Sequence, residues 1–276
     1  MPELPEVETI KNELKKILLN KHIDEILINT NSLRIPIKKN EIKQLKGFKV
    51  INISRRGKYI LITFSNNYTL LVHFGMSGRI IFKKKPYVAK KHDHIVLVIN
   101  KKNYIVLNDP RKFGLVDVIS NDKLFDSSYL KYLGIEPLTK DFNFIYLKNV
   151  LSQTTANIKN ALLNQRLIAG LGNIYVNECL FKSKIFPFKT ANTLNKKQIS
   201  SLCLNIKKIL KIAIKLKGSS INDFKLPSGL LGNFQNKFKV YNREGKKCKN
   251  IKCKGKIIKT IIGGRPTYYC CNCQKM

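Results

Sequence analysis

The feature that most limits what this chain can fold into is a change of hydrophobic period near Leu133-Gly134-Ile135-Glu136-Pro137-Leu138. Before it, β-branched and aromatic residues gather in eight short runs, over 23–28, 50–55, 58–64, 69–74, 79–82, 94–99, 104–107 and 115–119. Turn formers such as Ser65-Asn66-Asn67 separate many of them. Links this short join antiparallel neighbours, because a parallel crossover needs a much longer connection. A β-sandwich is therefore predicted. After the change, apolar residues recur at helical spacing over 144–151, 158–164, 173–182 and 196–217. A further helix is predicted at the start, where Val7, Ile10, Leu14, Ile17 and Leu18 share one face. Strands first and helices later make the class α+β. Ser219-Ser220-Ile221-Asn222-Asp223 is expected to open a short helix. The glycine-bearing segment 227–233 is expected to be a mobile, ligand-gripping loop.

The last thirty residues hold the strongest local signal. Cys248 and Cys253 are separated by four residues, Cys270 and Cys273 by two, with 16 between the pairs. Four thiolates at such spacing close a tetrahedral Zn²⁺ site at the turns of a β-hairpin. A module this small is expected to have almost no core, so the metal would supply its folding energy. With all four positions filled, the metal is structural rather than catalytic. Cys271 competes with Cys270, but lies one residue from Cys273 and is the poorer ligand. Cys179 and Cys203 fall in helical stretches, where packing is the default. Between the pairs, Ile262-Gly263-Gly264-Arg265 reads as a hairpin tip carrying one Arg, suited to a DNA groove or a phosphate, or else simply solvated.

Composition enters through charge. Lys and Arg number 52 against 17 Asp and Glu, a net charge of +35. A field of that sign implies a polyanionic partner, with nucleic acid foremost. Lysine abundance also follows from biased base composition, so the eight Arg positions are more informative than any Lys run. No apolar stretch reaches the roughly 20 residues that a bilayer span requires. No membrane partner is expected, and the chain reads as an intracellular protein without a signal peptide.

The opening Met1-Pro2-Glu3-Leu4-Pro5-Glu6-Val7-Glu8 has two readings. One is ordinary: Pro and Glu suit a helix's first turn. In the other, trimming of Met1 leaves Pro2 with an exposed secondary amine, whose reference pKa near 8 leaves much of it unprotonated at neutral pH. Such an amine attacks carbonyl-like carbon and yields an iminium, an electron sink for elimination. Glu3 would then be a general acid or base. Other turns admit similar pairs of readings. Met76 in His73–Gly78 and Phe113 in Asp109–Gly114 are either core residues or, with Arg111, wedges for a base stack. Gly170-Leu171-Gly172-Asn173 is either an N-cap or a phosphate cradle. Lys58, after Arg55-Arg56-Gly57, is either a surface residue or a site residue.

Together MPELPEVET, RRGKY, HFGMSGR, KHDH, NDPRKFG, LGIEPL, IAGLGNIYVNE, VYNREG and GRPTYYCCNCQK resemble, in order and over nearly the whole chain, the bacterial formamidopyrimidine-DNA glycosylase family. The opening is similar to its purine-repair branch. The resemblance implies a bifunctional base-excision-repair glycosylase and abasic-site lyase in which Pro2 attacks the sugar of an oxidised purine nucleotide. Glu3 would donate a proton, Lys58 would transfer protons and contact the damage, and Arg265 would serve δ-elimination. Met76, Arg111 and Phe113 would fill the hole left by the flipped nucleotide, and His92, Asn173 and Lys159 would contact DNA. The implied architecture is a β-sandwich over 1–133, a helix-two-turn-helix domain over 134–226, a lesion loop over 227–241 and a zinc finger over 242–276. DNA would lie in the cleft. The enzyme is expected to be a cytoplasmic, nucleoid-associated monomer acting on double-stranded DNA, with one structural zinc and no other cofactor. Three departures stand out: four residues within the first cysteine pair, no basic residue at Gln153-Thr154-Thr155, and Asn164 where the family often has Asp. Two rivals are a non-catalytic zinc-ribbon nucleic-acid binder and the pyrimidine-repair relative.

Overall fold

The computed structural model describes residues 2–84, 87–220 and 225–275. Met1 and most of the short helix expected after Ser219 lie outside the described residues. Contacts divide the chain into two units, Met1–Lys131 with Leu216–Asn233, and Tyr132–Lys215 with Phe234–Met276.

The first unit opens with α1 (Leu4–Leu18), then β1 (Glu25–Ile28) and α2 (Lys39–Lys43). β2 (Val50–Arg56), β3 (Tyr59–Phe64), β4 (Tyr68–His73) and β5 (Arg79–Lys84) follow, and β6 (Asp93–Ile99), β7 (Asn103–Asn108) and β8 (Leu115–Ser120) complete it. All eight predicted runs are strands. They form two antiparallel four-stranded sheets, ordered β1-β6-β7-β5 and β2-β3-β4-β8. Alternate residues fill the core: Ile60, Ile62 and Phe64 from β3, Leu70 and Val72 from β4, Ile95, Leu97 and Ile99 from β6. That period of two is what two sheets facing one core require. Val7, Ile10, Leu14 and Leu18 of α1 join the same core. At five residues, α2 is too short to show a helical period.

By contacts, residues 216–233 group with the sandwich, and 227–233 is bonded to it. Leu226 is buried in the sandwich core. The Phe82 N–H donates to Pro227 O at 3.0 Å, and Ser228 donates twice to the Glu13 carboxylate, each at 3.2 Å. The Gly232 N–H donates to Ser220 Oγ at 2.8 Å. Phe234 packs instead in the second unit, against Tyr175 and Phe238.

The second unit holds α3 (Phe144–Ser152), α4 (Ile158–Leu163), α5 (Asn173–Lys182), α6 (Lys196–Lys215) and the hairpin β9 (Ile257–Ile262) and β10 (Arg265–Cys270). Asn143 and Asn157 cap α3 and α4 through their side-chain oxygens. From Ile174 to Phe181 every residue of α5 is buried, as befits a central helix. α6 buries one face, Ile199, Leu202, Cys203, Ile206, Ile209, Leu210 and Ala213. The cysteine-bearing hairpin does have a core, contrary to expectation. Phe181 of α5 packs with Val240, Ile257 and Tyr268 beside Cys248 and Cys270. Among the described residues no helix is long and apolar enough to cross a membrane.

Candidate functional site

In the first unit, Glu6 fixes the start of the chain. One carboxylate oxygen accepts the Glu3 N–H at 3.0 Å. The other accepts the Ser219 N–H at 2.7 Å. Gly218 lies so close that a Cβ there would stand 2.7 Å from Glu6 Oε1, and its φ of +76° also favours glycine. Pro2 and Glu3, at this clasped start, are both buried. Arg55 then joins α1 to the turn bearing Lys58. Its Nε donates to Glu8 Oε2 at 2.7 Å and its Nη1 to Gly57 O at 2.8 Å. Burial alone would raise the Glu8 carboxyl, but the bonds and charges of Lys11 and Arg55 hold it below the usual range. Lys58 is itself buried, at 8% exposure, so it is no ordinary surface lysine. Sequence reasoning gave Glu6 only a helix-dipole role and assigned none to Arg55 or Gly218. The rarity of Arg in this chain was the one available signal.

Two neighbouring turns carry the expected wedge residues. Met76 and Phe113 are 48% and 44% exposed, so neither is a core residue. The Arg111 guanidinium carbon lies 4.8 Å from the Phe113 ring centroid. At the base of the first turn, His73 packs at a tilt against Tyr59 with ring centroids 4.8 Å apart. Its Nδ1 accepts the Gly75 N–H at 3.0 Å. Burial, with the nearby charges of Lys58 and Arg34, pushes His73 down to about 4, which keeps Nδ1 an acceptor. His92 is half-buried, and its carbonyl takes the Asp109 N–H at 3.1 Å.

In the second unit, Arg265 stands exposed at the hairpin tip. Two expected DNA contacts lie behind it. The Asn173 side-chain amide donates to Pro266 O at 2.9 Å, and the N-cap of α5 is Gly172 rather than Asn173. Lys159 needs correction. It is fully buried, and its ammonium donates to Arg265 O at 3.3 Å, Pro266 O at 3.0 Å and Thr267 Oγ1 at 2.6 Å. Burial first, and the Arg265 charge second, push it down to about 8. Lys159 thus holds the strand that carries Arg265 instead of presenting a charge to solvent. Buried Glu178, also missed, accepts the N–H groups of Lys239, Val240 and Tyr241. Asn164 keeps an acceptor for the turn after α4, taking the Arg166 N–H at 3.0 Å.

The four cysteines do converge. The Sγ atoms of Cys248, Cys253, Cys270 and Cys273 all lie within 4.8 Å of one another, close enough to hold a metal ion. The Cys248–Cys273 and Cys253–Cys270 separations are 3.8 and 3.6 Å. A tetrahedral ZnS₄ centre has sulfurs roughly 3.8 Å apart, so the donor set fits zinc in number, type and spacing. Backbone N–H groups of Asn250 and Gly255 point at two of the sulfurs. Cys271 is exposed and outside the set. The longer first interval therefore leaves the cluster intact.

Comparison with known proteins gives a consistent pattern. The formamidopyrimidine-DNA glycosylase N-terminal domain matches residues 1–116, and the H2TH domain of the same enzymes matches residues 133–225. The formamidopyrimidine-DNA glycosylase of Zymomonas mobilis is 43% identical over 276 residues, the whole of both chains. A point mutant of Lactococcus lactis Fpg, solved with Fapy-dG-containing DNA, is 37% identical with a TM-score of 0.92 over the whole of both chains. Lactococcus lactis Fpg bound to DNA containing an abasic site is 36% identical, with a TM-score of 0.91 over 99% of this chain and all of the other.

Proposed function

The chain belongs to the formamidopyrimidine-DNA glycosylase family, enzymes with glycosylase and lyase activity, and from that premise we propose how it works. It acts on double-stranded DNA, excises oxidised purines such as 8-oxoguanine and formamidopyrimidines, and cuts the strand at the resulting site. The Pro2 nitrogen, freed by loss of Met1, attacks C1′ of the damaged nucleotide. The base departs with the glycosidic electron pair, and Glu3 supplies a proton that helps open the sugar ring. The Pro2–C1′ iminium then accepts the electrons released when a C2′ proton is removed. This expels the 3′ phosphate by β-elimination, and δ-elimination of the 5′ phosphate leaves a one-nucleotide gap. Lys58 moves protons and contacts the damage, while Arg265 binds phosphate during δ-elimination. Met76, Arg111 and Phe113 occupy the space left by the extruded nucleotide, whose removal from the stack costs a few kcal/mol. His92 and Asn173 hold backbone phosphates. The four cysteines would hold one structural Zn²⁺, with no position left open for chemistry.

The observation that carries this reading is the clasp of the chain start by Glu6, at a terminus whose Pro2-Glu3 sequence suits iminium chemistry. Borohydride reduction during incubation with abasic-site DNA is expected to leave a covalent adduct, whose mass places the DNA on the peptide beginning at Pro2. Pro2→Gly, or retention of Met1, should abolish excision while DNA binding survives. Glu3→Gln should slow excision by about 10²-fold or more. Full activity from a protein with Met1 retained would refute the nucleophile. Faster excision of oxidised thymine than of 8-oxoguanine would move the chain to the pyrimidine branch.

A further inference from the structure

The two wedge turns meet at one buried carboxyl group. Asp109 is 0% exposed. Its Oδ1 accepts the Ser77 hydroxyl at 2.5 Å and the Arg111 N–H at 3.3 Å. Its Oδ2 accepts the Gly114 N–H at 2.7 Å. The Asp109 backbone is fixed as well. Its carbonyl accepts the Lys112 N–H at 3.2 Å and lies 2.8 Å from His94 Nε2, a histidine that is itself buried. Ser77 follows Met76, and Arg111 and Gly114 bracket Phe113, so a single side chain grips both turns. A steric lock adds to the polar one: Gly75 has φ +57°, and a Cβ there would stand 2.2 Å from Phe113 O.

We propose that Asp109 and Ser77 form a staple that makes the two turns one rigid wedge, so that Met76 enters the base stack together with Arg111 and Phe113. Both are positioning residues for nucleotide extrusion. Burying a carboxyl group is costly unless its oxygens are used, and an apolar residue would fill the space at lower cost. The return is stiffness. A wedge that opens a stack must not spend its contact energy on ordering itself, and two turns that move separately must each be ordered on insertion.

The inference rests on the function proposed above, and its test separates the two. Single-stranded abasic DNA needs the covalent chemistry but no wedge, whereas a duplex lesion needs both. For Ser77→Ala, excision of 8-oxoguanine from duplex DNA should fall about tenfold, from loss of the bond to the buried carboxyl and of the weaker one accepted from the Arg111 N–H. Borohydride trapping and cleavage on single-stranded abasic DNA should stay within about twofold, well under one tenfold step in barrier. Ser77→Thr, which keeps the hydroxyl, should restore the duplex rate. Asp109→Asn should lose more on duplex DNA, because its amide nitrogen accepts nothing, so either the Gly114 bond or the Ser77 and Arg111 bonds are lost. Ser77→Ala matching the parent protein on both substrates overturns the staple. So does a parallel loss on both, since that reports a general loss of folded enzyme. Absence of trapping by the parent protein sinks the functional reading, and the staple falls with it.

Discussion

At the scale of single residues, polar side chains held in place by burial define the first unit's site more sharply than exposed ones. His73 is the plainest case. It sits beneath the Met76 turn, packed against Tyr59, and accepts a backbone N–H through the nitrogen that a second proton would occupy. Its folded value near 4 lies below its ordinary 6.5, so on acidification the unfolded chain takes the proton first. Stability is therefore complete above about pH 6.5 and erodes as pH falls towards 4, by up to about 3 kcal/mol from this group. Replacing His73 with Asn keeps an acceptor for the Gly75 N–H and removes the titration. Urea unfolding midpoints for the two proteins should converge as pH drops from 7 to 4.5, because only the parent protein loses this contribution. An unchanged gap between them would show that His73 does not titrate differently in the folded chain. Lys159 teaches the same lesson from the other unit. A lysine in a lysine-rich sequence reads as surface charge, yet here three acceptors on one hairpin strand draw it into the interior.

At the scale of elements, the hairpin has more holding it than its cysteines. Ile257 and Tyr268 pack with Phe181 of α5. The Tyr268 N–H donates to buried Asn177 at 2.7 Å, and Gln274 donates to Ile185 O at 2.9 Å. In the knuckle around Asn250–Lys254, by contrast, Ile251 is fully exposed. Chelating the metal proposed for this site should therefore release the knuckle and the turn after Cys270 without undocking β9 and β10. Hydrogen exchange checks this. Amides at 249–255 should speed up on chelation while those of Val240 and Tyr268 stay protected, and equal acceleration of both sets would mean that the metal holds the whole module. The sequence could not foretell this division. Cysteine spacing announces a metal knuckle, and period-two alternation announces the eight strands and their sandwich. Neither reveals what a hairpin leans on, because Asn177, Glu178 and Lys159 are polar residues that make their bonds 60 or more positions away. For the same reason 216–226 read as part of the helical region and 227–233 as a separate loop. Its ties to Glu6, Glu13 and Phe82 join residues far apart in sequence, and local periodicity carries no trace of them. The candidate site was legible mainly through motif resemblance, whereas the residues that brace it were not.

At the scale of the whole molecule, the net charge of +35 has two possible origins, a genome that favours lysine codons or a surface selected to hold DNA. Salt dependence separates them. Each DNA phosphate neutralised by a bound cation releases counterions, so the logarithm of affinity falls with the logarithm of salt at about 0.9 per contact. Arg is scarce, at eight of 52 cationic residues, so most of the field comes from lysines that read no sequence. Met76 and Phe113 are uncharged and matter only where a nucleotide can be displaced. Two consequences follow. Undamaged and abasic duplexes should give parallel lines on a double-logarithmic plot, offset by the advantage of the wedge. Both lines should be steep, with affinity falling by about 10³-fold or more between 50 and 200 mM salt, as six or more phosphate contacts require. A shallow line for undamaged DNA, with a slope of only about −1 to −2, would mean that one or two phosphates are neutralised. The lysine excess would then be compositional, and recognition would fall almost wholly to Arg111, Arg265 and the wedge.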